Sequence, residues 1–133
     1  MQIWDMNYWG ILLAAVSSFM LGGLWYSPAL FGNTWNREAG MGDTNKQGHP
    51  AKVFGVSFLF ALLAAFVYAW LMPAAASAAT AALQGLAVGA GLVAASFGIN
   101  YQFANRSTTL LLIDGGYHTV QFLIYGLIIG LWR

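Results

Sequence analysis

The sequence predicts an all-α fold of the membrane class: a polytopic bundle of four transmembrane helices, with a short interfacial helix after the first span, in one domain over residues 1–133. Three observations predict it. Hydrophobic residues make up 59% of the chain and charged residues 7%, where a soluble domain carries about 25% charged residues. Four apolar stretches, at 9–26, 53–72, 81–103 and 110–132, are each of a length to cross a hydrocarbon core roughly 30 Å thick. The six tryptophans, Trp4, Trp9, Trp25, Trp35, Trp70 and Trp132, all fall at or just beyond the ends of those stretches, as in the aromatic belts of membrane proteins.

The first stretch carries no charge. Ala14, Ser18 and Gly22 recur every four residues in it, a small-residue stripe that lets another helix approach. The amino terminus, MQIWDMNYWG, lacks the basic region of a signal peptide, so the first span is expected to be retained. After it, Ser27 is placed to cap a new helix and Pro28 suits its first position. The spacing predicts an interfacial helix over 28–39, with Phe31 and Trp35 one turn apart. Trp25, Tyr26, Pro28, Phe31 and Trp35 form the expected interface anchor. The polar loop 40–50 follows, and its His49 reads as a solvated loop residue because no further ligands stand at metal-binding spacing.

The second span ends at Pro73 and gathers Ser57, Ala61, Ala64 and Tyr68 on one face. In the third, Gly85, Gly89, Ser96 and Asn100 share a face that runs from small to polar. Its GLAVGAG run has no preceding strand and no following acid, so it is not a nucleotide loop. Ser107 is placed to cap the last helix.

The last span is the most informative. Its 23 residues rise about 34 Å as a helix. Twelve Leu, Ile, Val or Phe residues, at roughly −0.5 kcal/mol each, offset the roughly +3 kcal/mol of one central Asp. Asp114, His118, Gln121 and Tyr125 form a polar stripe, and Gly115, Thr119, Gly126 and Gly130 a small one. Ser96 and Asn100 of the third span are the expected partners of the polar stripe, and Gly85, Gly89, Gly115, Gly126 and Gly130 the expected helix-packing positions. The stripe has two readings. Ionisable groups inside a membrane often mark a proton or ion path. The favoured reading is a structural lock, with Asp114 accepting a hydrogen bond from His118 or pairing with Arg106.

Other function classes are limited by composition. The formal net charge is +1 with no basic patch, which gives no footprint for nucleic acid. The chain has no cysteine, so disulfides, iron–sulfur clusters and thiol catalysis are excluded. No cofactor motif or metal set is present, and no catalytic residue is assigned. Arg37, Lys46, Lys52 and Arg106 all fall in the two loops on one side, which predicts that both termini lie outside the cytoplasm.

Two blocks are distinctive. One is Gly22-Gly23-Leu24-Trp25-Tyr26-Ser27-Pro28, followed by Leu30-Phe31-Gly32 and Trp35; the other is Ile113-Asp114-Gly115-Gly116-Tyr117-His118. Together they resemble the domain-of-unknown-function 1761 family of small bacterial integral membrane proteins. The resemblance covers nearly the whole chain, with the 40–50 loop least constrained. It implies four spans in a bacterial inner (cytoplasmic) membrane and carries over no catalytic residue.

Three functions are weighed. The first is a non-enzymatic protein acting by helix association, as a homo-oligomer or an accessory subunit of a membrane complex. Twelve of the sixteen glycines lie in spans, more close-packing surface than four helices need among themselves. The second is a small proton-linked transporter or channel using the Asp114–His118 stripe. The third is an intramembrane enzyme with His118 as base, for which only Ser96 and Thr119 could serve as nucleophile. The first is the expectation, with the second as alternative and the lipid bilayer as the surrounding partner.

Overall fold

The computed structural model describes residues 6–40, 49–73 and 76–132. The expectations placed on Trp4, Lys46 and most of the 40–50 loop lie outside the described residues. The described chain is helical, and four of its helical segments are long and apolar enough to cross a membrane: Tyr8–Trp25, Pro50–Leu71, Ala78–Phe103 and Thr108–Leu131.

Helix α1 (Tyr8–Trp25) starts at Asn7, whose side chain accepts from the Trp9 and Gly10 amides. It is apolar on all sides, as a helix wrapped by lipid and protein must be. Ser27 does not open the next helix. Its hydroxyl donates back to Leu24 O at 2.7 Å and closes α1. The chain then turns, and α2 (Gly32–Ala39) begins four residues later than the sequence pattern predicts. A side chain at Gly32 would collide with the Tyr26 carbonyl oxygen, so this turn requires glycine. Gly40 ends α2 in the left-handed conformation, with φ 76°.

Helix α3 (Pro50–Leu71) is capped by His49, whose Nδ1 accepts from the Ala51 amide at 3.1 Å. The histidine expected to be merely solvated is therefore a cap, and Pro50 takes the first helical position. Ser77 and Ser107 cap α4 (Ala78–Val88) and α6 (Thr108–Leu131) through their hydroxyls. The third span is not uniform. A π-helical segment, Gly89–Ala94, separates α4 from α5 (Ala95–Phe103).

Helix α6 is the axis of the assembly, touching α1, α2, α3, α4, the π segment and α5. Its closest neighbour is α4. A side chain at Gly85 would collide with Phe122 O, and one at Gly126 with Ala81 O. The two backbones meet there with nothing between them. The core lies toward the end that holds the N-terminus of α1 and the C-terminus of α6. It gathers Ile11, Ala14, Ala65, Tyr68, Ala81, Phe122, Tyr125 and Ile129. Tyr68 ties α3 to α4 there by donating to Ala81 O, and Asn7 Nδ2 donates to Trp132 O at 2.6 Å. Toward the opposite end α3 leans on α1 and leaves a cleft beside α6.

Candidate functional site

Asp114 stands in the second turn of α6 and is 9% exposed. Three donors reach its carboxylate from three other places in the chain. Tyr26, just past α1, donates to Oδ1 at 2.7 Å. Trp35 Nε1, from α2, donates to the same oxygen at 2.9 Å. Tyr101, from α5, donates to Oδ2. Indole is a donor only and an ionised carboxylate an acceptor only, so the set is chemically matched. Burial, and then the bond to Asp114, push the Tyr26 hydroxyl far above the ordinary tyrosine range, so it stays a donor. Beside this, Trp25 Nε1 donates to Ile113 O at 2.9 Å.

The expected partners of Asp114 are thus corrected. His118 turns to Gln121, and Arg106 donates to Ala39 O at 3.4 Å. The expected interface anchors also bond within the chain. Trp25, Tyr26 and Trp35 direct their polar atoms to α6, where a buried carboxylate needs donors that the bilayer lacks. Phe31 packs on Trp25 at 5.0 Å between ring centroids, and Pro28 stays exposed.

Ser96 and Asn100 do not meet the polar stripe. Both are exposed, and Ser96 Oγ donates to its own helix at Leu92 O. The π segment is the cause. A π turn inserts one residue into the helical count and rotates everything after it by about 100°. The face that begins as Gly85 and Gly89 therefore continues as Ala94, Phe97 and Tyr101. Ala94 lies against Gly115, Phe97 stacks on the His118 ring at 5.0 Å, and Tyr101 bonds Asp114.

The remaining stripe residues form a separate chain. His118 Nδ1 and Gln121 Oε1 are 2.6 Å apart. Gln121 Nε2 donates to the Tyr125 hydroxyl at 2.9 Å, and that hydroxyl donates to Ala61 O at 3.3 Å. With Oε1 accepting, the histidine carries its proton on Nδ1 and leaves Nε2 as an acceptor. The four residues expected to act as one stripe are two networks: Asp114 alone, and His118–Gln121–Tyr125.

Both networks border a cleft of about 930 Å³ between α1, α3 and α6, with α2 across its end. Its walls are largely aromatic and aliphatic, with Phe19, Phe54, Phe60, Tyr117 and Phe122 among them. Its polar edge is Asp114, His118, Gln121, Ser57 and Asn36. Tyr117, which donates to Ser18 O at 2.8 Å, and Tyr101 are site residues that the helical pattern did not single out. Their signal was a phenol beside the polar positions of each span.

The family model described as "Protein of unknown function (DUF1761)" matches residues 9–130. The chain belongs to this family. Comparison with curated proteins and with solved structures finds no match. The two blocks that carried the resemblance to DUF1761 are the two sides of one site, since Trp25, Tyr26 and Trp35 close on Ile113 and Asp114.

The glycines of this DUF1761 chain also find their places. Gly85, Gly89, Gly115, Gly126 and Gly130 all pack between the third and last spans of one chain. The two hydroxyls considered as nucleophiles are engaged with helix carbonyls: Thr119 Oγ1 donates to Gly115 O at 2.7 Å, and Ser96 to Leu92 O.

Proposed function

We propose that this membrane protein is non-enzymatic and works by binding, with the cleft between α1, α3 and α6 as its ligand site. The observation that carries this reading is the cleft itself. Its volume of about 930 Å³ falls in the range of ligand sites, about 300–1,000 Å³. It also has the usual make-up of such sites: apolar walls and a few convergent polar groups. Asp114 serves as the lock that docks α2 across its end, and His118 Nε2 is the free acceptor on its wall.

Native mass spectrometry of the gently extracted protein tests the reading. The expected spectrum holds a non-covalent adduct on the wild type that is lost when Ala64→Phe fills the α3 wall. A bare wild-type chain that gains no adduct from added membrane lipids or small amphiphiles would sink it.

The same spectrum tests a second reading: self-association as a homo-oligomer, or service as an accessory subunit. The third span favours it. Leu92, Ile99 and Phe103 are 65%, 63% and 90% exposed there, beside the outward Ser96 and Asn100. For location we propose a bacterial inner membrane with both termini outside the cytoplasm. Arg37, Lys52 and Arg106 gather at the end of the bundle where α2 lies, which the positive-inside rule assigns to the cytoplasm.

A further inference from the structure

We propose that the ligand of this cleft is a lipophilic organic cation, held by aromatic ring faces beside the Asp114 carboxylate. The inference rests on the binding reading above. Among the described residues lining the cleft, Asp114 is the only acid, and no Lys or Arg stands with it. Its three hydrogen-bond donors are two phenols and an indole, all neutral. They spread the carboxylate's charge without cancelling it, and Arg106 is turned to Ala39 O. Among the described residues the carboxylate is thus the one acidic group on the lining of a largely apolar cleft, where screening is weaker than in water, while Arg37, Lys52 and Arg106 stand at the same end of the bundle outside that lining.

Three aromatic rings stand beside the carboxylate. Tyr26, Trp35 and Tyr117 all line the cleft with Asp114. The Tyr26 and Trp35 centroids are 5.9 Å apart at 81°, and those of Tyr26 and Tyr117 are 5.5 Å apart at 52°. The Tyr26–Trp35 and Tyr117–His118 contacts are edge-to-face, so each pair covers one ring face and leaves the others for a cation, which an electron-rich face attracts within about 6 Å. Protein donors take two acceptor positions on Oδ1 and one on Oδ2, which leaves at most one open. A ligand thus gains from charge and ring faces and needs no N–H of its own, which fits a fully substituted onium centre with apolar substituents. The apolar substituents would lie along Phe19, Phe54 and Phe60.

Tetraphenylphosphonium and tetraphenylborate share one shape and carry opposite charge. The full chain, in micelles of an uncharged detergent, is dialysed to equilibrium against each, with protein-free micelles as reference. Triphenylphosphine oxide is the neutral probe. Mildly alkaline buffer keeps an ordinary imidazole neutral. The expected result is saturable retention of the phosphonium, with the borate no higher than in empty micelles. Asp114→Asn then weakens phosphonium binding by roughly 10- to 100-fold, the effect of removing one unit charge about 6 Å away at intermediate dielectric. Borate or phosphine oxide binding as tightly as the phosphonium overturns the cation assignment while leaving a binding cleft in place. An Asp114→Asn protein that binds phosphonium as well as the wild type overturns it too. Failure of all three probes removes the assignment, and an adduct-free native spectrum alongside would remove the binding reading as well. The comparison of opposite charges uses the wild type, so it stands even if the variant does not fold.

Discussion

Tyr26 and Asp114 lie 88 positions apart in the chain and share a hydrogen bond of 2.7 Å. That bond joins the end of the first span to the start of the last, and Trp35 brings α2 onto the same oxygen. Removing the acceptor leaves three donors facing a site that water does not freely fill. Asp114→Ala is expected to cost about 3 kcal/mol, because hydrogen bonds to a charged group contribute about 1.5–3 kcal/mol and stranded donors are penalised. Asp114→Asn, which keeps one acceptor oxygen, should cost less. Reversible unfolding in mixed micelles measures both, and limited proteolysis between α1 and α3 reports release of α2. An Asp114→Ala protein as stable and as protease-resistant as the wild type would remove the lock.

The π segment makes a prediction that a straight helix would reverse. Tyr101→Phe should cost about 1–2 kcal/mol by removing a bond to the Asp114 carboxylate. Asn100→Ala should fall within about 0.5 kcal/mol of wild type, as for any outward residue. A double-mutant cycle of Tyr101→Phe with Asp114→Asn should give a coupling of about 1 kcal/mol, and one with Asn100→Ala none. If Asn100 couples and Tyr101 does not, the third span runs as an uninterrupted α-helix.

What the sequence made legible divides along these lines. Span number and the cap of the last helix were readable because they rest on local signals: an 18–26 residue apolar length, and a serine at 107 before a helix start; Ser27 carried the same signal and closes α1 instead, and His49 caps α3 without one. The polar stripe was readable on α6 because that helix keeps its 3.6-residue period throughout. Its partner face was not, because the extra residue at 89–94 carries no period of its own, and Ser96 and Asn100 inherit the wrong register from Gly85 and Gly89. The contact of Trp25, Tyr26 and Trp35 with Ile113 and Asp114 was not readable either. Nothing local to either block names the other, and only the fold brings them together.

The glycine stripe can now be assigned a cost. A methyl group at Gly126 meets the Ala81 carbonyl, and forcing atoms into a closed contact costs about 1–3 kcal/mol. Gly126→Ala should therefore lower the unfolding midpoint of the single chain. Gly55, with open space around its Cα, is the control. Gly55→Ala should be neutral or stabilising by up to about 1 kcal/mol, through helix propensity alone. If Gly126→Ala instead breaks an oligomer and leaves the chain's own midpoint unmoved, the stripe works between copies.

The chain from His118 to Tyr125 bears on whether this stripe moves protons. It passes through the amide of Gln121 to the Tyr125 hydroxyl, which meets the backbone carbonyl of Ala61 and the Ser18 side chain. An amide does not readily take a proton at one end and release another, and a backbone carbonyl has none to hand on. Among the described residues Asp114 makes its side-chain hydrogen bonds to Tyr26, Trp35 and Tyr101 rather than to this chain. The arrangement is that of a fixed brace across α3 and α6, in which each buried polar atom has a partner. Tyr125→Phe should accordingly cost about 1–2 kcal/mol by stranding the Gln121 amide. Proteoliposomes carrying a pH-sensitive dye, polarised by a potassium gradient and valinomycin, should acidify no faster than protein-free vesicles. A wild-type flux that disappears in both Asp114→Asn and His118→Ala would show that the two networks connect during turnover, and would restore the stripe as a proton path.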